Sequence, residues 1–100
     1  MALKEVTTCM GYQQITSLSA AASLTVPTRT PNGSTASPRL VLLQCESQSV
    51  RWRDDGTSPT ASVGMILNVG DQPYPYDGDL NKIKFIETAT SAKLNVSYYT

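Results

Sequence analysis

The sequence contains no histidine among its 100 residues. That removes the commonest metal ligand, the commonest general base and every Ser–His or Cys–His nucleophile system. Charge is scarce too. Eight basic and eight acidic residues cancel to a net charge of zero, which takes away the electrostatic argument for nucleic acid or an anionic membrane as partner. No apolar run approaches the ~20 residues of a membrane span. The opening Met1-Ala2-Leu3-Lys4-Glu5 has no h-region, so no signal peptide is expected and synthesis in a cytosol is. The two cysteines, Cys9 and Cys45, then read as small buried apolar thiols rather than as a disulfide. In a chain that is not secreted, the glycosylation-like triplets at Asn32 and Asn95 are chance matches.

What is present is β patterning. With 40% hydrophobic residues over 100 positions, the chain can fill one core, and a single β domain over residues 1–100 is expected. The organising stretch is 39–69, which holds the only Trp and the densest charge cluster. Leu40-Val41-Leu42-Leu43 is a continuous apolar run and predicts a strand buried on both faces. In Val50-Arg51-Trp52-Arg53 the apolar and charged residues alternate, so Val50 and Trp52 share one face. Asp54-Asp55-Gly56 predicts a turn. Val63, Met65, Leu67 and Val69 restore the alternation, and Gly64 between them suggests a bulge or a close backbone approach.

Elsewhere, residues 5–17 read as a Thr-rich first strand, 19–23 as a connection and 24–26 as a short strand stopped by Pro27. Residues 28–38 form an exposed polar loop by composition. Residues 70–79 read as a second turn region, where Pro73 and Pro75 forbid a central strand and hold Tyr74 and Tyr76 apart. Ile83 and Phe85, then Leu94, Val96 and Tyr98, alternate with polar residues in two closing strands. The total is about seven short strands and no helix, which predicts an all-β fold: a small antiparallel sandwich or jelly-roll-like barrel. Its expected core is Val50, Trp52, Met65, Leu67, Ile83, Phe85, Leu94 and Val96.

Candidate sites are few. The stretch 64–87 has the rhythm of a cupin half-barrel but lacks its His ligands. Asp54, Asp55, Asp71, Asp77 and Asp79 do not match an EF-hand loop and read as turn formers. A paired-carboxylate hydrolase would need a deep cleft, uncommon in a sandwich of this size. No catalytic residue, metal or cofactor is expected. Arg51, Arg53, Asp54 and Asp55 beside Trp52 read either as an intrachain charge cluster or as a contact to another subunit, since Arg among aromatic residues suits interfaces. Tyr74, Tyr76, Tyr99 and Asn32 complete the expected partner-binding set.

The run VRWRDDGTSPTASVGMIL, followed by YDGDLNKIKFIE and AKLNVSYY, resembles small proteins encoded in tailed bacteriophages and prophages. The similarity spans residues 40–99, with an echo at 24–27; the 28–38 loop has no counterpart in it. The resemblance implies a compact β component of the virion, in the head or the tail, made in the host cytoplasm. Two functions stay open. One is a capsid cement or decoration protein, a homo-oligomer held on the major capsid protein or another virion protein by many weak contacts. The other is a tail-associated carbohydrate-binding or host-recognition module with Trp52 or a Tyr stacked on sugar rings. In the first reading the contact surface draws on the chain ends and the two Pro-containing loops.

Overall fold

The computed structural model describes residues 8–28 and 37–100, and its regular elements are all strands. They are β1 (Cys9–Ile15), β2 (Ala22–Ser23), β3 (Leu40–Glu46), β4 (Val50–Arg53), β5 (Met65–Leu67), β6 (Tyr74–Tyr76), β7 (Lys84–Glu87) and β8 (Lys93–Tyr99). Two four-stranded antiparallel sheets result, in the orders β1-β8-β3-β6 and β2-β7-β4-β5. The pairs nest: β4 with β5, β3 with β6, β2 with β7 and β1 with β8. Such nesting is one long hairpin rolled over itself, the topology of an eight-stranded jelly roll.

The core forms where the alternating residues of both sheets meet. Val41, Leu43, Leu94, Val96 and Tyr98 come from the first sheet, and Val50, Trp52, Leu67 and Phe85 from the second. Leu18, Leu80, Ile83 and Ala92 close the ends from connections. Seven of the eight expected core residues are buried. Met65 is the exception at 61% exposure. It lies opposite Trp52 on the edge strand β5, at the rim of the sandwich, so alternation there carries no burial.

Other expectations are also corrected. β3 is not buried on both faces: Val41, Leu43 and Cys45 point in, while Leu42 faces outward opposite Ser97 and Pro75. The short second strand falls at Ala22–Ser23 rather than 24–26. Leu24 and Val26 pack on the core instead, and the Thr25 amide donates to Gln13 Oε1 at 3.2 Å. The 70–79 region is not only a turn. Tyr74–Tyr76 forms an eighth strand at a sheet edge, the one place where Pro75, with no N–H, breaks no ladder. Cys9 is exposed at the start of β1 while Cys45 is buried, and both are free thiols. Burial pushes the Cys45 thiol up from 9.0 to about 11.

Candidate interaction surface

Each charged group of the 51–55 cluster has an intrachain role. Arg51 is half-buried on β4. Its guanidinium donates from Nε to the Ala61 carbonyl at 3.1 Å and from Nη1 to the Gly64 carbonyl at 2.8 Å. It therefore clamps the loop between β4 and β5 onto the sheet. The clamp needs a close approach at Gly64, where φ is +144° and a Cβ would lie 3.1 Å from the Trp52 carbonyl oxygen. The close backbone approach expected at this glycine is there. Arg53 pairs with Asp55 through both guanidinium nitrogens that face it, Nε to Oδ1 at 3.1 Å. The hydrogen bond from Arg53 holds the exposed Asp55 carboxyl below its ordinary 3.8, at about 2. Asp54 Oδ2 accepts from the Tyr76 hydroxyl at 2.6 Å. Burial first, then that contact with a carboxylate, pushes the Tyr76 phenol well above its ordinary value.

The remaining expected residues separate. Tyr76 is 7% exposed, and its ring meets Trp52 edge-on at 5.5 Å. Tyr74 lies 6.3 Å from Trp52 and is 41% exposed. Tyr99 is half-buried at the end of β8, paired with Cys9 and Leu40, and its hydroxyl oxygen accepts from Ser97 Oγ at 3.1 Å. Asn32 and most of the 28–38 loop lie outside the described residues. Trp52, the residue expected to stack on sugar in the second reading, is 8% exposed, so little of its ring face is open to a ligand.

What the fold brings together instead is an apolar groove between two sheet edges. Val63, Met65, Ile66, Val69 and Tyr74 are all exposed large hydrophobic residues, and all lie in or beside the edge strands β5 and β6. Between those edges runs a groove of about 160 Å³, with Met65 and Tyr74 among its lining residues together with Trp52, Leu43, Cys45 and Leu67. β6 cannot take another strand at Pro75, whose position on the free edge offers no N–H. A partner over β6 therefore packs side chains rather than extending that sheet. Of the five exposed residues, sequence reasoning singled out only Tyr74. Val63, Met65 and Val69 share the alternating run of the buried Leu67, and Ile66 falls between them on the other face of β5, so the pattern alone does not mark them as exposed.

Among the described residues no three His, Cys, Asp or Glu side chains gather as metal ligands. Comparison of the chain with protein-family models, with curated protein sequences and with solved structures finds no match.

Proposed function

We propose that the chain is a structural protein of a bacteriophage particle, a capsid cement or decoration protein that works by binding alone. The observation that carries the reading is the apolar groove between β5 and β6. Exposed Met65, Ile66 and Tyr74 line the groove between the β5 and β6 edges, and exposed apolar clusters mark surfaces that are covered in use. The nearby charges support it in a negative way. Arg51, Arg53, Asp54 and Asp55 are paired within the chain, which leaves hydrophobic packing as the main source of affinity there. The motif similarity over residues 40–99 supplies the virion as the setting. In a lattice each copy binds weakly, and repetition over many subunits supplies the total. Homo-oligomers on the lattice belong to the proposal.

A mass-spectrometric inventory of purified virions tests it. The protein is expected in stoichiometric amounts with the major capsid protein, and particles lacking it are expected to lose their contents at lower temperature. Absence from washed virions would contradict the reading.

A further inference from the structure

We propose that the outer face of the β1-β8-β3-β6 sheet carries a binding site for a neutral oligosaccharide, built around the ring of Tyr12. The site borders the β5–β6 groove at Gln44, but it is centred on Tyr12 and does not depend on the cement reading.

Tyr12 is 64% exposed, the most exposed of the large hydrophobic residues. It is nevertheless fixed. Its Cα lies opposite Ser97, yet its hydroxyl donates to Asn95 Oδ1 at 2.5 Å, on the next outward-facing residue of β8. The ring is therefore laid along the sheet rather than standing off it. An exposed aromatic ring with only two rotatable torsions, held by its far end, meets a ligand with little entropy left to lose.

Amides surround it. Asn95 Oδ1 also accepts from Gln14 Nε2 at 2.9 Å, and Asn95 Nδ2 donates to Glu46 Oε1 at 3.0 Å. The acceptor oxygen of Gln14 and the whole amide of Gln44 make no hydrogen bond among the described residues. A trough of about 150 Å³ is lined by Tyr12, Leu42, Gln44, Pro73, Asn95 and Ser97, and Gln14 reaches it through Asn95. Formal charge on this face is confined to its end, where Glu46 and Lys93 face each other across the strands.

The chemistry selects the ligand class. A pyranose ring offers a flat patch of C–H bonds to an aromatic face and hydroxyls at its rim. Each hydroxyl is both donor and acceptor, as is each carboxamide. The one carboxylate in reach, Glu46, is engaged by the Asn95 amide. A nucleic acid would need cations to meet its phosphates, and the middle of this face has none.

The test is a titration of the isotopically labelled protein with cellohexaose, maltohexaose and chitohexaose, followed by nuclear magnetic resonance. At least one sugar is expected to bind with a dissociation constant on the order of 1 mM. It should shift the Gln14, Gln44 and Asn95 side-chain amides and the Tyr12 ring. Loss of ring stacking in Tyr12→Ala should weaken binding about tenfold. Tyr12→Phe should keep part of it, and Met65→Glu should bind as the parent does. Gln44→Ala, which removes an amide with no hydrogen bond among the described residues, serves as the second variant and should also weaken binding. If none of the three sugars moves these signals at tenfold higher concentration, or if the shifts map to Met65 and Tyr74, the proposal is overturned.

Discussion

The Tyr76 hydroxyl donates to Asp54 Oδ2 at 2.6 Å, and this bond ties edge strand β6 of one sheet to the residue that follows β4 in the other. Gly78 leaves the room for it, because a Cβ there would overlap the phenol oxygen of Tyr76. Tyr76→Phe removes the bond but leaves an exposed carboxylate that water can serve, so the expected loss is about 1 kcal/mol. For a domain of this size that is a fall of roughly 4–8 °C in Tm. Gly78→Ala pushes the ring off its seat and should cost more than Tyr76→Phe. Thermal melts of the two variants check the order.

Gly64 and Gly70 make a matched pair. Both have positive φ, +144° and +91°, but a Cβ at Gly64 meets the Trp52 carbonyl, Arg51 Cβ and Pro59 Cβ at 3.1–3.2 Å, whereas one at Gly70 meets nothing within 4 Å. Gly70→Ala should cost about 1 kcal/mol, the conformational part alone. Gly64→Ala adds backbone crowding and disturbs the Arg51 clamp, for a total of about 2–4 kcal/mol. Denaturant unfolding distinguishes them, and equal losses would mean that the clamp carries no weight.

Trp52 joins the two sheets at the open side. It is 8% exposed and contacts both Tyr74 and Tyr76. Trp52→Ala is expected to cost about 3–5 kcal/mol. A loss near zero would mean that the indole is not part of the core and would reopen it as a sugar-stacking surface.

Much of this was legible in the chain, for a physical reason. β4, β7 and β8 are central strands or pair on both sides, so period-2 patterning equals burial and Val50, Trp52, Phe85, Leu94 and Val96 fell on the correct face. The all-β class followed from the same patterns. At edges the equation fails. Met65 alternates with Gly64 and Ile66 just as a core residue would, yet no opposite strand covers it. Tyr74-Pro75-Tyr76 reads as a turn until one knows that β6 has only one neighbour. The nested order of the sheets is a matter of long-range pairing, which no local pattern encodes. Nothing in the Thr-rich first strand singles out Tyr12. Its importance arises from Asn95, 83 positions away in sequence.

Alkaline stability should fall in steps. Burial raises the Cys45 thiol from 9.0 to about 11 and the Tyr98 phenol from 10.0 to about 12. Both groups hold their proton more tightly folded than unfolded. Their contribution is complete below the unfolded value and disappears as pH rises through the folded one. Stability should therefore be level up to about pH 9 with respect to these groups, and decline from 9 to 11 through Cys45 and from 10 to 12 through Tyr98. Cys45→Val removes the first step and should move the onset to about pH 10. Urea midpoints measured across this range test the sign, and rising stability above pH 9 would contradict it.

The central claim is that the β5–β6 side binds a protein lattice. Its most direct test is cosedimentation with capsids that lack the protein, comparing the parent with Met65→Glu and Tyr12→Ala. Met65 is exposed, so Met65→Glu should alter stability by no more than about 0.5 kcal/mol. Placing a carboxylate in an apolar contact should nevertheless weaken capsid binding at least roughly tenfold. Tyr12→Ala, on the other sheet's outer face, should cosediment as the parent does. Capsid binding by Met65→Glu equal to that of the parent, or no binding by the parent itself, would contradict the account.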